Sequence, residues 1–381
     1  FVYLYKKEIK QTNKVRQLHK KYLTMMEDKE SHSKPIVGGL SIPKSLQNVP
    51  YADKQGIVLS VKNIPIRNMD APYNASIIEH EDGYRLFFRY DQIVRGSHCP
   101  YHTYIGCCKL DSNFNQTSEE YITLDTKSFF SEDPRIVKIK NKDYLVFNDL
   151  IFQKDKNKFS SGFNFKDTDT NALRTMHIAE LDKDMKPKFI TNLDIQLESV
   201  EKNWVPFEYT DNESGTDIYF EYRRNPHKIL KLKNPTKNQL SHMNYTKGPP
   251  FQNLYWPKKW GSVRGGTPAK KIGNEYLAFF HSGFKDTDGF VWYLMGAYTF
   301  EEKPPFRITG ISHCPILFEG IYNSPHLNTA NPILRCIYPA GFVLGQEDGR
   351  DVFHVSCGEN DSATKIVTIE KEALLKSLKK L

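Results

Sequence analysis

A proline-headed unit recurs five times along this 381-residue chain, and its period restricts the possible folds more than any single residue does. The heads read Ala71-Pro72-Tyr73-Asn74, Asp133-Pro134-Arg135-Ile136, Val205-Pro206-Phe207-Glu208, Thr267-Pro268-Ala269-Lys270 and Tyr338-Pro339-Ala340-Gly341, with prolines spaced by 62, 72, 62 and 71 residues. After each head come a short run, a turn and a strand ending in aromatics. The turns are Asp82-Gly83, Asn141-Lys142, Ser214-Gly215, Gly273-Asn274 and Asp348-Gly349; Leu86-Phe87-Phe88 and Leu277-Ala278-Phe279 typify the strands. Proline opening a strand removes no ladder hydrogen bond, and the turn residues supply a hairpin. Each unit therefore reads as strand, turn, strand.

A strand-built period of about 60 to 70 residues predicts an all-β, five-bladed β-propeller, in which each blade buries its faces against two neighbours. A β-sandwich whose hairpins happen to open on proline is the competing expectation. With 39% hydrophobic and 13% aromatic residues, one closed propeller over residues 51–381 has enough apolar side chains for its core. Residues 1–50 read as an N-terminal stem or extension. Phe1-Val2-Tyr3-Leu4-Tyr5 is too short to span a bilayer and runs into Lys6-Lys7 and a charged stretch. It reads equally as the stub of a membrane anchor or as an element packed on the propeller. Leu374, Leu375, Leu378 and Leu381 stand at helical spacing, which predicts a short amphipathic C-terminal helix.

The net charge of +8 is dispersed rather than gathered into one basic, aromatic-interleaved segment, which argues against nucleic acid and towards small anions or phosphates as partners. Six cysteines, at 99, 107, 108, 314, 336 and 357, show no zinc-type spacing, and their redox state is open. Acceptor sequons at Asn74, Asn115, Asn212, Asn244 and Asn360 point weakly to the secretory lumen, with a type II anchor. A cytoplasmic location is the alternative.

In a propeller the first strand of each blade lines the axis, so the five heads converge. One head differs in chemistry: Ser131-Glu132-Asp133-Pro134-Arg135 brings two carboxylates and a guanidinium to the axis. Asp133 is the candidate catalytic group, and an aromatic cup is expected to raise its pKa and suit it to general-acid work. Arg89, Arg223, Arg224, Arg264 and His281 hold related blade positions and form a candidate phosphate or diphosphate cluster, because arginine grips phosphate bidentately. Lys202, Asn203 and Trp204, with His227 shortly after, offer a sugar-binding wall, core packing being the equal alternative for Trp204. Arg135 in the second head, Tyr338 in the last, and Glu359 and Asp361 after the last aromatic strand complete the candidate ligand set. The echoing loops Ser161–Asp169 and Ser282–Asp288 each carry an Asp-x-Asp pair that is able to hold a divalent ion against a diphosphate, though such pairs also recur in polar turns. No cofactor is otherwise indicated: Gly-x-Gly-x-x-Gly, Walker and Gly-x-Ser-x-Gly motifs are missing from the sequence.

From about residue 65 to 365 the sequence resembles the five-bladed β-propeller mannoside phosphorylases and the related β-1,2-mannosyltransferases. The resemblance rests on Glu132-Asp133-Pro134-Arg135, Arg223-Arg224, Arg264-Gly265-Gly266-Thr267-Pro268, Phe280-His281-Ser282-Gly283, Met295-Gly296-Ala297-Tyr298 with Pro315-Ile316-Leu317, and Tyr338-Pro339-Ala340-Gly341. It implies an inverting glycosyl-transfer enzyme in which Asp133 moves the proton and Arg223 or Arg224, Arg264 and His281 hold phosphate. Hydrolysis would need a second carboxylate roughly 6.5 to 9.5 Å from the first, for which Asp149, Glu221 and Glu359 are candidates. Two departures stand out. Arg264 and Thr267 occupy positions where the phosphorylases usually carry lysine and proline, and Tyr222-Arg223-Arg224-Asn225-Pro226-His227 replaces the usual His-Arg-Pro. With the anchor reading, this rebuilt pocket favours a glycosyltransferase using an activated sugar, with GDP-mannose the candidate donor, and a glycan acceptor. A β-mannoside phosphorylase or hydrolase is the alternative, and a non-catalytic sugar-binding propeller is the alternative of another class.

Overall fold

The computed structural model describes residues 42–93, 101–152, 172–193, 200–212, 215–224, 227–232, 235, 240–242, 254–324 and 331–381. The chain divides into two units, residues 1–47 and 48–381. The anchor and stem expected near the N-terminus, the first Asp-x-Asp loop, Cys99 and the sequon at Asn244 lie outside the described residues.

The second unit is all-β. After β1 (Val58–Asn63), three four-stranded antiparallel meanders follow: β2 (Tyr73–His80), β3 (Gly83–Ile93), β4 (Tyr101–Leu110) and β5 (Ile122–Thr123); then β6 (Glu132–Ile139), β7 (Lys142–Phe152), β8 (Ala172–Leu181) and β9 (Pro187–Leu193); then β10 (Val205–Asp211), β11 (Gly215–Arg224), β12 (His227–Leu232) and β13 (Leu240–His242). The remaining strands are β14 (Ser262–Gly265), β15 (Lys270–Ile272), β16 (Glu275–Lys285), β17 (Val291–Glu301), β18 (Ile308–Ser312), β19 (Leu334–Glu347), β20 (Arg350–Glu359) and β21 (Ala363–Glu370). The helix α1 (Lys371–Ser377) and β22 (Leu378–Lys380) end the chain. These later strands and β1 form one ten-stranded sheet, ordered β1-β21-β20-β19-β17-β16-β14, with β15 on β16 and β18 between β17 and β22. The fourth and fifth units thus share a sheet, where the sequence reading expected two. Their link is a short parallel pairing, Val291 to Tyr293 against Leu334 to Cys336.

Each proline-headed unit opens an antiparallel hairpin as expected: β2–β3, β6–β7, β10–β11, β15–β16 and β19–β20. The prolines themselves are not equivalent. In the first two sheets the shared feature is a bulge, spanning Tyr73 to Ser76 and Glu132 to Arg135. Its second residue is left-handed in both, Asn74 (φ 48°) and Asp133 (φ 54°). Asn and Asp tolerate that conformation better than other non-glycine residues. A bulge of this kind re-aims a side chain, and here it turns Asp133 out of the strand's alternation.

Both faces of most strands are covered, so burial along β16 is nearly continuous rather than alternating. Successive sheets share cores: Ile78 and Phe87 with Ile136 and Phe147, Val146 and Ile178 with Trp204 and Phe220, Phe207 and Tyr219 with Phe280 and Phe300. A further cluster joins Ile77 and Phe88 of the first sheet to Val343 and Ile366 of the last. Each of these fully buried aromatics contributes about 1.5–3 kcal/mol by leaving water. The C-terminal expectation holds only in part. Residues 371–377 are helical, capped by the Glu370 carboxylate, whereas Leu378 belongs to β22 and pairs with Ser312. Among the described residues no helix is long and apolar enough to cross a membrane.

Candidate functional site

Asp133 is buried at 6% exposure. Its Oδ1 accepts from Asn74 Nδ2 at 2.9 Å and lies 3.5 Å from Arg89 Nη1. The two bulge residues of neighbouring sheets therefore meet directly. Burial pushes the Asp133 pKa up, but Arg89, Lys202 and Arg135 outweigh burial and the repulsion from Glu132, and hold it below the usual carboxylate range. This corrects the expectation of a raised value. Asp133 is buried as expected, but cations from three other positions decide the sign.

Glu132, which the sequence reading did not select as a ligand, organises those cations. It lies 3.3 Å from Arg89 Nη1, 3.1 Å from Arg174 Nη2 and 3.0 Å from Lys202 Nζ. Despite burial, the three together keep it firmly ionised. Arg174, on β8, had no signal in the motif and was missed. Lys202 is thus committed to Glu132 while its side chain remains a third exposed.

Arg135 is fully buried, and its donors are engaged by the protein itself: Gly266 O, Asp133 O at 3.2 Å, Asn203 Oδ1 at 3.2 Å, Gly265 O at 3.3 Å and Tyr338 Oη at 2.8 Å. It is a hub between sheets rather than a substrate ligand, which corrects that expectation. Asn203, at φ 63°, accepts from both Arg135 and the Tyr338 hydroxyl, the latter at 2.8 Å. Tyr338 Oη also approaches Asp133 Oδ2 to 3.4 Å. Glycine is required where these backbones close in: a Cβ on Gly266 would stand 2.5 Å from Phe279 O and 2.8 Å from Pro339 O.

From Tyr338 the site continues into a cationic side. His281 packs its ring 4.5 Å from the Tyr338 ring and is paired in register with Arg264. Burial, reinforced by Arg264, Arg135 and Arg224, drives the His281 pKa well below its ordinary value, so the ring is neutral. Its Nδ1, and Nε and Nη1 of Arg224, are buried with no hydrogen-bond partner among the described residues. Arg264 is exposed and forms no ion pair with a described residue. Buried polar groups without partners cost free energy, and an anion that accepts from the Arg224 N–H groups would recover part of it.

The other expected ligands are distributed differently. Trp204 is fully buried against Phe220 and Tyr222, with Nε1 donating to Glu201 at 3.2 Å, so it belongs to the core and offers no sugar platform. His227 bonds the buried Glu221 at 3.1 Å, and Glu221 is further held by Tyr298 and Arg224. Arg223 lies over the Tyr222 ring. Glu359 is buried against Lys365 at 2.8 Å and accepts from Tyr322 N at 2.7 Å. Asp149 takes Ser128 and Ser131, each at 2.6 Å. The three carboxylates proposed as partners for water activation are therefore engaged by the protein.

Asp361 is the last carboxylate of the expected ligand set. It sits half-buried in the β20–β21 turn, where Asn360 and Asp361 are both left-handed (φ 51° and 49°) and the Asn360 side chain is pinned to Cys336 N at 2.9 Å and Tyr322 O at 2.8 Å. Burial raises the Asp361 pKa to about 7; Arg89 opposes this, while Asp133, Asp91 and Glu132 add to it. It thus shares the field of the Asp133 cluster.

The second Asp-x-Asp loop is a structural turn. Asp286 accepts from Asp288 N and Phe290 N, both at 2.9 Å, and from Trp292 Nε1 at 2.7 Å. Among the described residues no group of three or more His, Cys, Asp or Glu is placed to hold a metal. Cys107, Cys108, Cys314, Cys336 and Cys357 are free thiols. Two of the sequon asparagines, Asn74 and Asn360, are buried and hydrogen-bonded, so glycosylation there is incompatible with this fold.

Comparison with known proteins places the chain in a family. Residues 45–380 match the glycoside hydrolase 130 family, described as beta-1,4-mannooligosaccharide phosphorylase. The chain belongs to this family. No curated protein matches it. Among solved structures it resembles a β-1,2-mannobiose phosphorylase from Listeria innocua (TM-score 0.53, 13% identity, covering 86% of this chain and 98% of that one). It also resembles a mannose phosphorylase from Leishmania mexicana in complex with phosphate ion (TM-score 0.52, 14% identity, 87% and 93% covered). A third likeness is to a family 130 structure described with glycoside hydrolases that target β-1,2 mannosidic linkages in Candida mannan (TM-score 0.53, 12% identity, 90% and 97% covered). At these identities the likenesses establish the shared fold. Family membership makes the chain a carbohydrate-active enzyme of the mannoside phosphorylase and hydrolase group.

Proposed function

We propose that this protein is an inverting β-mannoside phosphorylase built on a five-bladed propeller. The five-blade count treats the ten-stranded sheet as two blades joined by the short parallel pairing, with β1 supplying the outer strand of the last blade. The carrying observation is the contrast around Asp133. Beside it lies a cationic side, with Arg224 N–H groups and a His281 ring nitrogen that are buried without a partner among the described residues and with the exposed Arg264, while Asp149, Glu221 and Glu359 are already engaged. A nucleophile that brings its own negative charge suits this site better than water, which needs a base.

In this reading a phosphate oxygen attacks the anomeric carbon from the face opposite the leaving oxygen, the glycosidic C–O bond breaks, and the leaving oxygen takes a proton delivered through Asp133. The free site keeps Asp133 ionised, which suits the reverse direction, where it accepts the proton of the attacking hydroxyl. An arriving phosphate adds negative charge to the same field. That offsets the cations and raises the Asp133 proton affinity, so donor chemistry is favoured only when phosphate is bound.

The transferase reading loses part of its basis. Thr267 is fully buried, and its Oγ1 accepts from Phe279 N at 3.0 Å, so its replacement of proline adjusts the backbone and adds nothing to the pocket. Hydrolysis remains the second reading because Asp361, with a pKa of about 7, has the basicity that a water-activating carboxylate needs. The rate of β-mannobiose cleavage against phosphate concentration separates the readings. Saturation from near zero supports phosphorolysis; a rate indifferent to phosphate overturns it.

A further inference from the structure

We propose that a second ligand site lies where the hairpin-opening strands end, opposite Asp133, and that Lys138 and Lys270 there hold the phosphoryl group of a small phosphomonoester. The inference goes beyond the phosphorylase reading and does not depend on it. A cavity of about 530 Å³ opens at this end, within the range of about 300–1,000 Å³ usual for small-molecule sites. Four of the hairpin-opening strands wall it: β2 through Glu79, β6 through Lys138, β10 through Glu208 and β15 through Lys270.

The length of these strands separates the cavity from the Asp133 site. Lys138 follows Asp133 by five residues on β6, about 16 Å of strand, and the fully buried Arg135 lies between them in the chain. Asn74 and Glu79 stand near the same two ends of β2. The charges around the cavity are unequally committed. Glu208 accepts from Lys140 N at 2.8 Å, and Glu302 pairs with Lys271 at 3.2 Å. Lys270 meets both Glu79 oxygens at 3.5 Å and Lys138 meets Asp143 at 3.9 Å, against about 2.7–2.9 Å for a tight charge-assisted bond.

Lys270 is also partly withdrawn from water, with its side chain 28% exposed and its ammonium 5.5 Å from the centre of the Phe342 ring. Burial lowers its pKa; Glu79 opposes this, and repulsion from Lys138 adds to it. An anion between the two ammoniums relieves that repulsion, and the three terminal oxygens of a phosphomonoester accept from both. Ile78, Ile136 and Ala269 also line the cavity, so apolar surface adjoins the cations. Inorganic phosphate would leave that surface bare, whereas the organic body of a phosphomonoester covers it.

The test labels the site without any turnover. Pyridoxal 5′-phosphate carries a phosphoryl group and an amine-reactive aldehyde, and borohydride reduction followed by peptide mapping identifies each lysine it has reached. Lys270 should label about tenfold faster than Lys54 and Lys127, whose side chains are 71% and 77% exposed, and about tenfold faster than with pyridoxal, which lacks the phosphoryl group. Phenyl phosphate should protect Lys270 at about a tenth of the concentration that inorganic phosphate requires. Lys138→Ala should raise that protecting concentration about tenfold with an unchanged thermal midpoint, and Arg264→Ala should leave it unaltered. Even labelling of the exposed lysines, equal rates with pyridoxal, equal protection by inorganic phosphate, or protection indifferent to Lys138→Ala overturns the proposal. Protection lost in Arg264→Ala places the ligand at the Asp133 site and overturns it as well. If no mannoside is cleaved, the phosphorylase reading fails while protected labelling of Lys270 still supports the second site.

Discussion

Asp361→Asn should stabilise the protein, and only at neutral to alkaline pH. Folding raises the pKa of this carboxyl from 3.8 to about 7, burial being the first cause and the negative neighbours Asp133, Asp91 and Glu132 adding to it. The folded protein therefore holds a proton that the unfolded chain releases between about pH 4 and 7, and stability falls as pH rises through that window. Each unit corresponds to about 1.4 kcal/mol, so the penalty is about 4 kcal/mol above pH 7, and water reaching the half-buried group reduces it to about 2–3. Asparagine is isosteric, tolerates the φ of 49° found there, and cannot ionise. Urea unfolding at pH 4.5, 6 and 8 should show little difference between wild type and Asp361→Asn at the lowest pH. A gain of about 2–3 kcal/mol should appear at the highest, with an unchanged m-value. A gain independent of pH, or a loss at pH 8, would show that Asp361 does not share the electrostatic field of Asp133, and the description of the site would fail.

Three further outcomes follow from the same geometry. Asp133→Asn should reduce kcat by about 10²–10⁴-fold while leaving the thermal midpoint within a few degrees, since the amide keeps both the left-handed bulge and a partner for Asn74; full activity would remove Asp133 from the mechanism. Arg135→Ala should destabilise the fold by about 3–5 kcal/mol, read by chemical denaturation, because it removes a buried guanidinium that bonds five polar groups. Arg264→Ala should raise the KM for phosphate about tenfold with an unaltered melting temperature, as an exposed arginine with no ion pair to a described residue contributes to ligand and not to fold.

The hairpins were legible because proline, turn residue and aromatic strand are local signals, and all five hairpins form. Their alignment was not. Counting from prolines pairs Pro72 with Pro134, whereas the bulges pair Asn74 with Asp133, one lying two residues after its proline and the other one before. A bulge adds a residue without altering the hydrophobic pattern, so periodicity cannot register it. The recurrence of Asn or Asp near the heads was the available clue, since those residues accept positive φ. The position of Asp133 was readable, but the direction of its pKa shift was not, because Arg89 and Lys202 reach it from distant parts of the chain. Arg135 looked like a phosphate ligand for the same reason. Only the fold brings the Tyr338 hydroxyl, 203 residues away, to within 2.8 Å and occupies that guanidinium. The β17–β19 pairing that merges the last two units rests on three residue pairs and leaves no compositional mark.

The central claim is that phosphate, held beside Asp133, is the nucleophile. Proton and phosphorus NMR of β-mannobiose incubated with the protein, with and without phosphate, tests it in one experiment. The account predicts α-mannose 1-phosphate and mannose in equal amounts when phosphate is present, and no cleavage when it is withheld. Free mannose as the only product, formed at the same rate in both tubes, would contradict it.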